Sequence, residues 1–106
     1  MADKAWKRTE RQVAALLGGE RVPVTGRARG STPDVTHPLL AVEVKHRKSV
    51  PAWLRDAVDQ ARASVRGSQL PIVVLHGAGE RFDHALVIIT LSDFSHWIED
   101  RRQEGT

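Results

Sequence analysis

The sequence predicts an α/β domain in which helices flank a mixed central β-sheet. Segments near each end and after residue 50 repeat their apolar residues at helical spacing, and short runs dense in β-branched residues lie between them. The resulting order is helix, three strands, helix, two strands, helix (αβββαββα). Such apolar strands need cover on their faces, which flanking helices supply. A chain of 106 residues suits one core, so a single domain is expected over 1–106.

The first helix is predicted over 3–17, and Gly18-Gly19 ends it. Its apolar stripe consists of Trp6, Val13 and Leu17. Glu10 falls on that stripe, although a carboxylate on a buried face costs free energy unless it meets a cation or a metal. Glu10 is therefore expected to belong to a site, and the alternative is that it pairs with an arginine or lies at the edge of the stripe.

A short strand is predicted over 21–25, followed by the loop GRARGST at 26–32. The backbone N–H groups of a Gly-rich loop can approach a phosphate, while Arg27 and Arg29 supply charge. The alternative is an ordinary hairpin loop whose arginines only aid solubility.

The central strand is predicted over 39–46, LLAVEVKH. Because side chains alternate between the faces of a strand, Leu40, Val42, Val44 and His46 point into a core, and Ala41, Glu43 and Lys45 point the other way. If the segment that begins at Asp34 runs antiparallel to this strand, Asp34 reaches Glu43. Two carboxylates, with waters and a substrate phosphate, are ligands that magnesium takes. A plain surface ion pair between Glu43 and Lys45 is the alternative.

The second half of the chain is predicted to form one helix, two buried strands and a last helix. These elements are a helix from Pro51 to about Arg66, strands over 70–76 and 85–91, and a helix capped by Ser92 or Asp93 that runs to about Gln103. The inner face of the middle helix is Leu54, Ala57, Val58, Ala61 and Val65, with Gln60 at its border.

Charge is distributed unevenly along the chain. Residues 1–66 carry 13 Lys or Arg and 7 Asp or Glu, whereas residues 67–106 carry 3 and 6. A one-sided basic surface suits a polyanion such as DNA, and a merely solvated surface is the alternative. The absence of cysteine excludes disulfides and thiolate metal sites. No apolar run is long enough to cross a bilayer, so no membrane association and a soluble cytoplasmic protein are expected.

Several of these residues together resemble the PD-(D/E)xK nuclease superfamily. The matching residues are Pro33-Asp34, Glu43-Val44-Lys45, Glu10 on the first helix and Gln60 on the helix after the motif. The chain is most similar to the small Holliday junction resolvases of archaea and phages, which also begin with a helical Glu-Arg-apolar pattern, here residues 9–17. They also carry a Gly/Ser loop with a basic residue before the aspartate, comparable to Arg27 and Gly30-Ser31. The resemblance covers residues 9 to about 90.

The resemblance implies a restriction-endonuclease-like core and a metal-dependent DNA endonuclease, in the form of a homodimeric junction resolvase. Mg²⁺ or Mn²⁺ would be held by Asp34, Glu43 and the carbonyl of Val44, with Glu10 adding a carboxylate directly or through water. Lys45 would act on the attacking water, and Gln60 would orient Lys45 or a water. The residues expected to contact DNA are Arg27, Arg29, Ser31, Arg47 and Lys48.

Three points stay open from the sequence. The enzyme could be a restriction-like or repair nuclease that acts on DNA other than four-way or branched junctions. The chain could also be a nucleic-acid-binding module that keeps the fold without catalysis. The apolar contacts of a homodimer could come from Phe82, Leu86, Phe94 and Trp97, which the sequence equally allows to be core residues.

Overall fold

The computed structural model describes residues 4–23 and 33–104, which form a mixed α/β structure with three α-helices and two antiparallel sheets. The helices are α1 (Ala5–Leu17), α2 (Ala52–Ala63) and α3 (Leu91–Glu104), and the strands are β1 (Glu20–Arg21), β2 (Val35–Thr36), β3 (Ala41–Val42), β4 (Val73–Leu75) and β5 (Leu86–Ile88). This order confirms the predicted αβββαββα. The chain divides into two compact units, Met1–Lys48 and Ser49–Thr106, called here the first and the second unit. A single domain with one central mixed sheet stays a prediction.

In the first unit, α1 ends at a pair of glycines that the turn into β1 requires. Gly18 has φ 73°, a left-handed conformation that glycine adopts without strain, and Gly19 N–H donates to the carbonyl of Ala14 at 2.9 Å. A side chain at Gly19 would collide with the carbonyl oxygen of Thr36. The two glycines therefore let α1 turn back closely against the sheet, where it packs on β1 and β2.

The sheet of the first unit brings the Asp34 segment beside the central strand. β2 pairs antiparallel with both β1 and β3, and fully buried Val35 lies opposite Arg21 on one side and Val42 on the other. The same register, continued by one residue, sets Asp34 opposite Glu43. The antiparallel arrangement on which the approach of Asp34 to Glu43 depended is therefore present. The predicted alternation is confirmed as well, since residues 40, 42 and 44 are half-buried and residues 41, 43 and 45 are exposed.

The second unit contains α2 with the predicted inner face and a shorter end. Val58 is buried, and the other four predicted inward residues are half-buried. The helix ends at Ala63 rather than near Arg66 because Ser64 competes for the helix's own carbonyls. Its hydroxyl donates to the Gln60 carbonyl at 2.9 Å, and its N–H contacts the carbonyls of both Gln60 and Ala61.

The last helix, α3 (Leu91–Glu104), begins two or three residues earlier than predicted. The capping side chain is Thr90, whose Oγ1 accepts the N–H of Asp93 at 3.2 Å and whose carbonyl accepts the N–H of Phe94 at 3.0 Å. Thr90 and Asp93 stand three residues apart, which is the spacing of a capping box. The prediction of Ser92 or Asp93 as the cap was wrong because Thr90 also has a capping side chain and lies two or three residues upstream.

The strands β4 and β5 are less buried than their composition predicted. The register pairs Val74 with Val87, and both are exposed, whereas Val73 and Ile88, which face the other way, are half-buried. α2 packs against β4. Leu86, on the same side as Ile88, is also exposed, so the runs of β-branched residues gave less burial than expected. No helix within the described residues is long and apolar enough to cross a membrane.

Candidate active site

The predicted catalytic residues of the first unit line one pocket of about 330 Å³. Its lining residues are Trp6, Glu10, Asp34, Glu43, Val44, Lys45, His46 and Arg47. They come from three places in the chain: α1, the segment before β2 and the segment after β3. The sheet register and the packing of α1 on the sheet therefore bring these distant parts of the sequence together.

Asp34 is the most firmly fixed of the carboxylates. Its N–H donates to the carbonyl of Val42 and its carbonyl accepts the N–H of Val22, both at 2.9 Å. Its Oδ2 accepts the N–H of Val44 at 2.6 Å. The side chain is buried, and a carboxylate tolerates burial when such donors satisfy it. Asp34 thus bridges the segment before β2 to the segment after β3 and is held in one orientation.

Glu43 and Lys45 lie on the solvent-facing side of the central segment, whereas Val42 and Val44 point to its core side. Lys45 Nζ lies 3.3 Å from Glu43 Oε1, and the two side chains are 66% and 63% exposed. A pair this exposed contributes at most about 1 kcal/mol to stability, because water screens it and both side chains lose freedom. Both side chains can therefore change rotamer at little cost when a ligand enters the pocket.

Glu10 is buried on the pocket side of α1 and pairs with Arg21 of β1. Arg21 Nε donates to Glu10 Oε1 at 2.8 Å, and the Arg21 guanidinium carbon lies 5.8 Å from the centroid of the Trp6 ring. The ion pair offsets the cost of burying the carboxylate, and the aromatic face adds a weak cation–π attraction. Both expectations for Glu10 are therefore met. It has an arginine partner, and it lines the same pocket as Asp34 and Glu43.

His46 is a pocket residue that the sequence reading placed wrongly. It was predicted to face the core, but it is exposed and its Nδ1 lies 2.9 Å from Thr9 Oγ1. β3 spans only Ala41–Val42, so the strand alternation no longer constrains the chain at His46. The Thr9 hydroxyl also lies 3.0 Å from the Ala5 carbonyl, which can only accept. Both contacts are hydrogen bonds when Thr9 donates to Ala5 and His46 Nδ1–H donates to Thr9.

Trp6 was predicted as a packing residue and is one, yet it also lines the pocket. It is half-buried and lies beside two cations, Arg21 and Lys7, the latter at 5.6 Å from the ring centroid. A signal for this was in the sequence, because Trp6 stands four residues, or one helical turn, before Glu10 on the same face of the helix.

The pocket contains oxygen ligands of the chemical type that hard cations prefer. The carboxylates of Asp34 and Glu43 and the carbonyl of Val44 are ligands of the type that Mg²⁺ and Mn²⁺ take. Within residues 4–23 and 33–104, no three His, Asp or Glu side chains converge closely enough to form a ready metal cluster. Since Asp34 is fixed and Glu43 is exposed, metal binding by both would require the Glu43 side chain to turn.

The remaining predicted site residues fall into three groups. Arg47 lines the pocket, and Lys48 follows it at the surface. Gln60 is an exposed residue of α2 in the second unit, and its role toward Lys45 stays a prediction. Arg27, Arg29 and Ser31 lie outside the described residues.

The chain has no significant match to a protein-family model, a curated protein or a solved structure. The resemblance to the PD-(D/E)xK nucleases therefore stays a prediction from the motif residues.

Proposed function

We propose that the chain is a metal-dependent DNA endonuclease with a restriction-endonuclease-like core, and that it acts on four-way or branched DNA as a Holliday junction resolvase. The observation that supports this most is that Asp34, Glu43 and Lys45 line one pocket, with Asp34 held by the Val44 N–H. Two carboxylates repel a polyanion unless a cation lies between them and the phosphate. A pocket that keeps both beside basic residues favours metal-assisted hydrolysis.

The pocket residues divide the work of phosphodiester hydrolysis. Asp34, Glu43 and the Val44 carbonyl would hold Mg²⁺ or Mn²⁺, with Glu10 as a further carboxylate. The bound ion would polarise the phosphate and activate a water. Asp34 is preorganised by its hydrogen bonds, so it needs no rearrangement to bind.

Lys45 and Gln60 would act on the water and the phosphate. The Lys45 ammonium is exposed beside Glu43 and can donate a hydrogen bond to the attacking water or to a phosphate oxygen on which charge develops. Gln60 would orient Lys45 or the water.

DNA would be bound through phosphate contacts and cut by two copies of the chain. Arg47 at the pocket and Lys48 beside it would bind backbone phosphates, together with Arg27, Arg29 and Ser31 of the basic loop. A four-way junction needs two symmetric nicks, and a two-fold homodimer supplies two sites related by the same symmetry.

A second function, a nucleic-acid-binding module without catalysis, is favoured by one specific observation. Glu10 already has a cation partner in Arg21, at 2.8 Å. If arginine and lysine neutralise the pocket carboxylates permanently, the pocket can approach DNA without any metal. Intact Asp34, Glu43 and Lys45 weigh against this, because binding alone has no need of two carboxylates that face a polyanion.

A cleavage assay separates these functions. The chain is incubated in Mg²⁺ with four-way, flap and linear DNA of the same sequence, alongside the Asp34→Asn variant. We expect paired symmetric nicks in the four-way DNA, preferred over the linear duplex, and no cleavage by the variant. Equal cleavage of linear duplex would leave a nuclease of the restriction or repair type. Binding without cleavage of any DNA, by either protein, would leave the binding module.

A further inference from the structure

The segment that follows β3 carries three of the proposed active-site residues but belongs to no helix or strand. We call residues 43–48 the post-β3 segment. Glu43, Lys45 and Arg47 of this segment all line the pocket, whereas the pairing of β3 with β2 covers only Ala41–Val42. Strand pairing therefore does not fix the position of Lys45, and the contacts of its neighbours decide how firmly it is held.

Two hydrogen bonds hold the post-β3 segment, one on either side of Lys45. Before it, the Val44 N–H donates to Asp34 Oδ2 at 2.6 Å. After it, the His46 ring contacts α1, with Nδ1 at 2.9 Å from Thr9 Oγ1. Successive Cα atoms are about 3.8 Å apart, so an anchor on each neighbour leaves the Lys45 backbone little room to move.

The contact between Thr9 and His46 has a defined direction. The Thr9 hydroxyl donates its hydrogen to the Ala5 carbonyl at 3.0 Å, so it accepts the hydrogen of His46 Nδ1. Nδ1 carries a hydrogen both in this neutral tautomer and in the imidazolium, so the contact persists whatever the charge of the ring. The link between α1 and the post-β3 segment therefore needs no change of protonation.

This link joins the two walls of the pocket beside the residues that are proposed to act. Thr9 precedes Glu10, which lines the pocket from α1, and His46 follows Lys45, which lines it from the post-β3 segment. Without the link, the segment keeps its anchor at Val44 but can swing away from α1 beyond that residue. The distance between α1 and the Lys45 backbone is then no longer fixed.

We propose that Thr9 and His46 are positioning residues, which hold the post-β3 segment on α1 and thereby keep the Lys45 ammonium at the pocket for the chemical step. The proposal rests on the proposed nuclease function and adds two residues to it. Because the contact is exposed and water competes for both groups, its loss should loosen the segment without unfolding the chain.

Single-turnover cleavage of four-way DNA in Mg²⁺ by paired variants tests the proposal. Thr9→Val removes the hydroxyl and keeps the shape, and His46→Leu removes the ring N–H. Each should lower the cleavage rate about tenfold and leave DNA affinity unchanged, because a misplaced catalytic group costs rate rather than binding. Thr9→Ser and His46→Asn keep an acceptor and a donor for the link, so they should cut at nearly the wild-type rate.

Two double variants show whether the effect runs through Lys45. Thr9→Val combined with His46→Leu should lose no more rate than either change alone, because each breaks the same link. In a Lys45→Ala chain, Thr9→Val should lose nothing further, since no ammonium is left to position. A loss at His46→Leu far larger than at Thr9→Val would overturn the proposal, because His46 would then act in its own right. Wild-type cleavage by Thr9→Val would overturn it as well.

Thr36→Val is the matched control. Thr36 also donates its hydroxyl hydrogen to a backbone carbonyl in the first unit, that of Glu20 at 3.2 Å, and it does not line the pocket. Its variant should cut at the wild-type rate, and circular dichroism verifies that each variant folds. Equal losses at Thr9→Val and Thr36→Val would overturn the proposal, because the effect would come from a general loosening of the first unit.

Backbone NMR relaxation tests the link without DNA, so its outcome is separate from that of the nuclease proposal. The amide order parameters of residues 45–47 should fall from about 0.85 toward about 0.6 in Thr9→Val and should hold in Thr36→Val. A segment that loosens in this way, in a chain that cuts no DNA, would remove the nuclease and keep the link. A chain that cuts DNA and whose Thr9→Val variant keeps its order parameters would overturn the link and keep the nuclease.

Discussion

The two units depart from the usual placement of polar and apolar groups in opposite directions. The first unit buries two carboxylates, Glu10 and Asp34, whereas the second unit exposes a set of apolar side chains centred on Val74 and Val87. Their charges differ as well. Residues 1–48 carry 10 Lys or Arg and 5 Asp or Glu, and residues 49–106 carry 6 and 8. One unit is thus basic with acids inside, and the other is slightly acidic with some apolar side chains exposed.

Each departure costs stability or solubility, and the buried carboxylates coincide with the proposed chemistry. A buried carboxylate loses hydration, and hydrogen bonds or a cation must replace it, as Val44 N–H and Arg21 do here. An exposed aliphatic face invites association. Places where a sequence breaks the ordinary rules are where function is expected. The comparison therefore places the proposed metal ligands in the first unit.

The largest expected effect is on cleavage rate, when the charge of a pocket carboxylate is removed. Asp34→Asn or Glu43→Gln should lower cleavage on the order of a thousandfold or more, because the metal loses a ligand. DNA binding should stay or tighten, because repulsion of phosphate falls. Single-turnover cleavage of four-way DNA and fluorescence anisotropy measure the two effects.

Glu20→Gln is the matched control for these carboxylate variants. Glu20 is an exposed acid of β1 in the same unit, and it does not line the pocket. Its variant should cut at the wild-type rate. Full activity of Asp34→Asn in Mg²⁺ would remove the chemistry from the first unit and break the comparison.

The next largest effect is expected at Lys45. Lys45→Ala should lose about a hundredfold in cleavage rate, on the scale of a positioned acid–base group. Its melting temperature should hardly change, because the exposed pair with Glu43 contributes at most about 1 kcal/mol.

The control for Lys45 is Arg81→Ala, which breaks an exposed ion pair with Asp83 in the second unit. We expect it to leave both cleavage and melting unchanged. A Lys45→Ala chain that unfolds, or one that cuts normally, contradicts the assignment of Lys45 to the chemical step.

Sequence patterns predicted the first unit well because its constraints are local or periodic. Alternation along 40–45 placed Glu43 and Lys45 on one exposed face, and the helical period placed Glu10 on the buried face of α1. The sequence left the antiparallel pairing of β2 with β3 as a condition, which the structure meets. The partner of Glu10 could not be predicted, because Arg21 is brought to α1 by tertiary packing alone.

The misplaced residues show where periodicity stops being informative. His46 follows the end of β3 pairing, so alternation no longer decides its direction. The strands β4 and β5 have the composition of fully buried strands, but composition does not specify whether the second face meets the same chain or a partner. The exposure of Val74 and Val87 is a property of the assembled hairpin, which no local pattern reveals.

A smaller effect, on stability, is expected when the Glu10–Arg21 pair is broken. Arg21→Met should lower the free energy of unfolding by about 2 kcal/mol, because it leaves the buried Glu10 without one of its partners. The loss should be smaller than that for breaking a fully buried ion pair, because Arg21 is partly exposed. The double variant Arg21→Met with Glu10→Gln should recover part of this loss. Urea denaturation of the two single variants and the double variant measures the coupling.

The same variants also test whether Glu10 serves the metal. Glu10→Gln should raise the Mg²⁺ concentration that half-maximal cleavage requires, if Glu10 adds a ligand to the set. Strong coupling to Arg21 without any change in the metal requirement would make Glu10 a structural residue. Asp34 would then be the one of the two buried carboxylates that takes part in the proposed chemistry.

The smallest effect is expected for single phosphate contacts, which sharpen the difference in charge between the units. Arg47→Gln and Lys48→Gln should each weaken DNA binding only a few-fold at moderate salt, uniformly across sequences. Each should also reduce the slope of log affinity against log salt by about 0.9, because one fewer counterion-releasing contact forms. Arg101→Gln is the matched control, since Arg101 is an exposed arginine on α3 in the second unit. Anisotropy titrations from low to high salt measure these slopes. Equal losses at Arg47 and Arg101 would mean that DNA contacts both units, and a binding surface confined to the basic first unit would have to be abandoned.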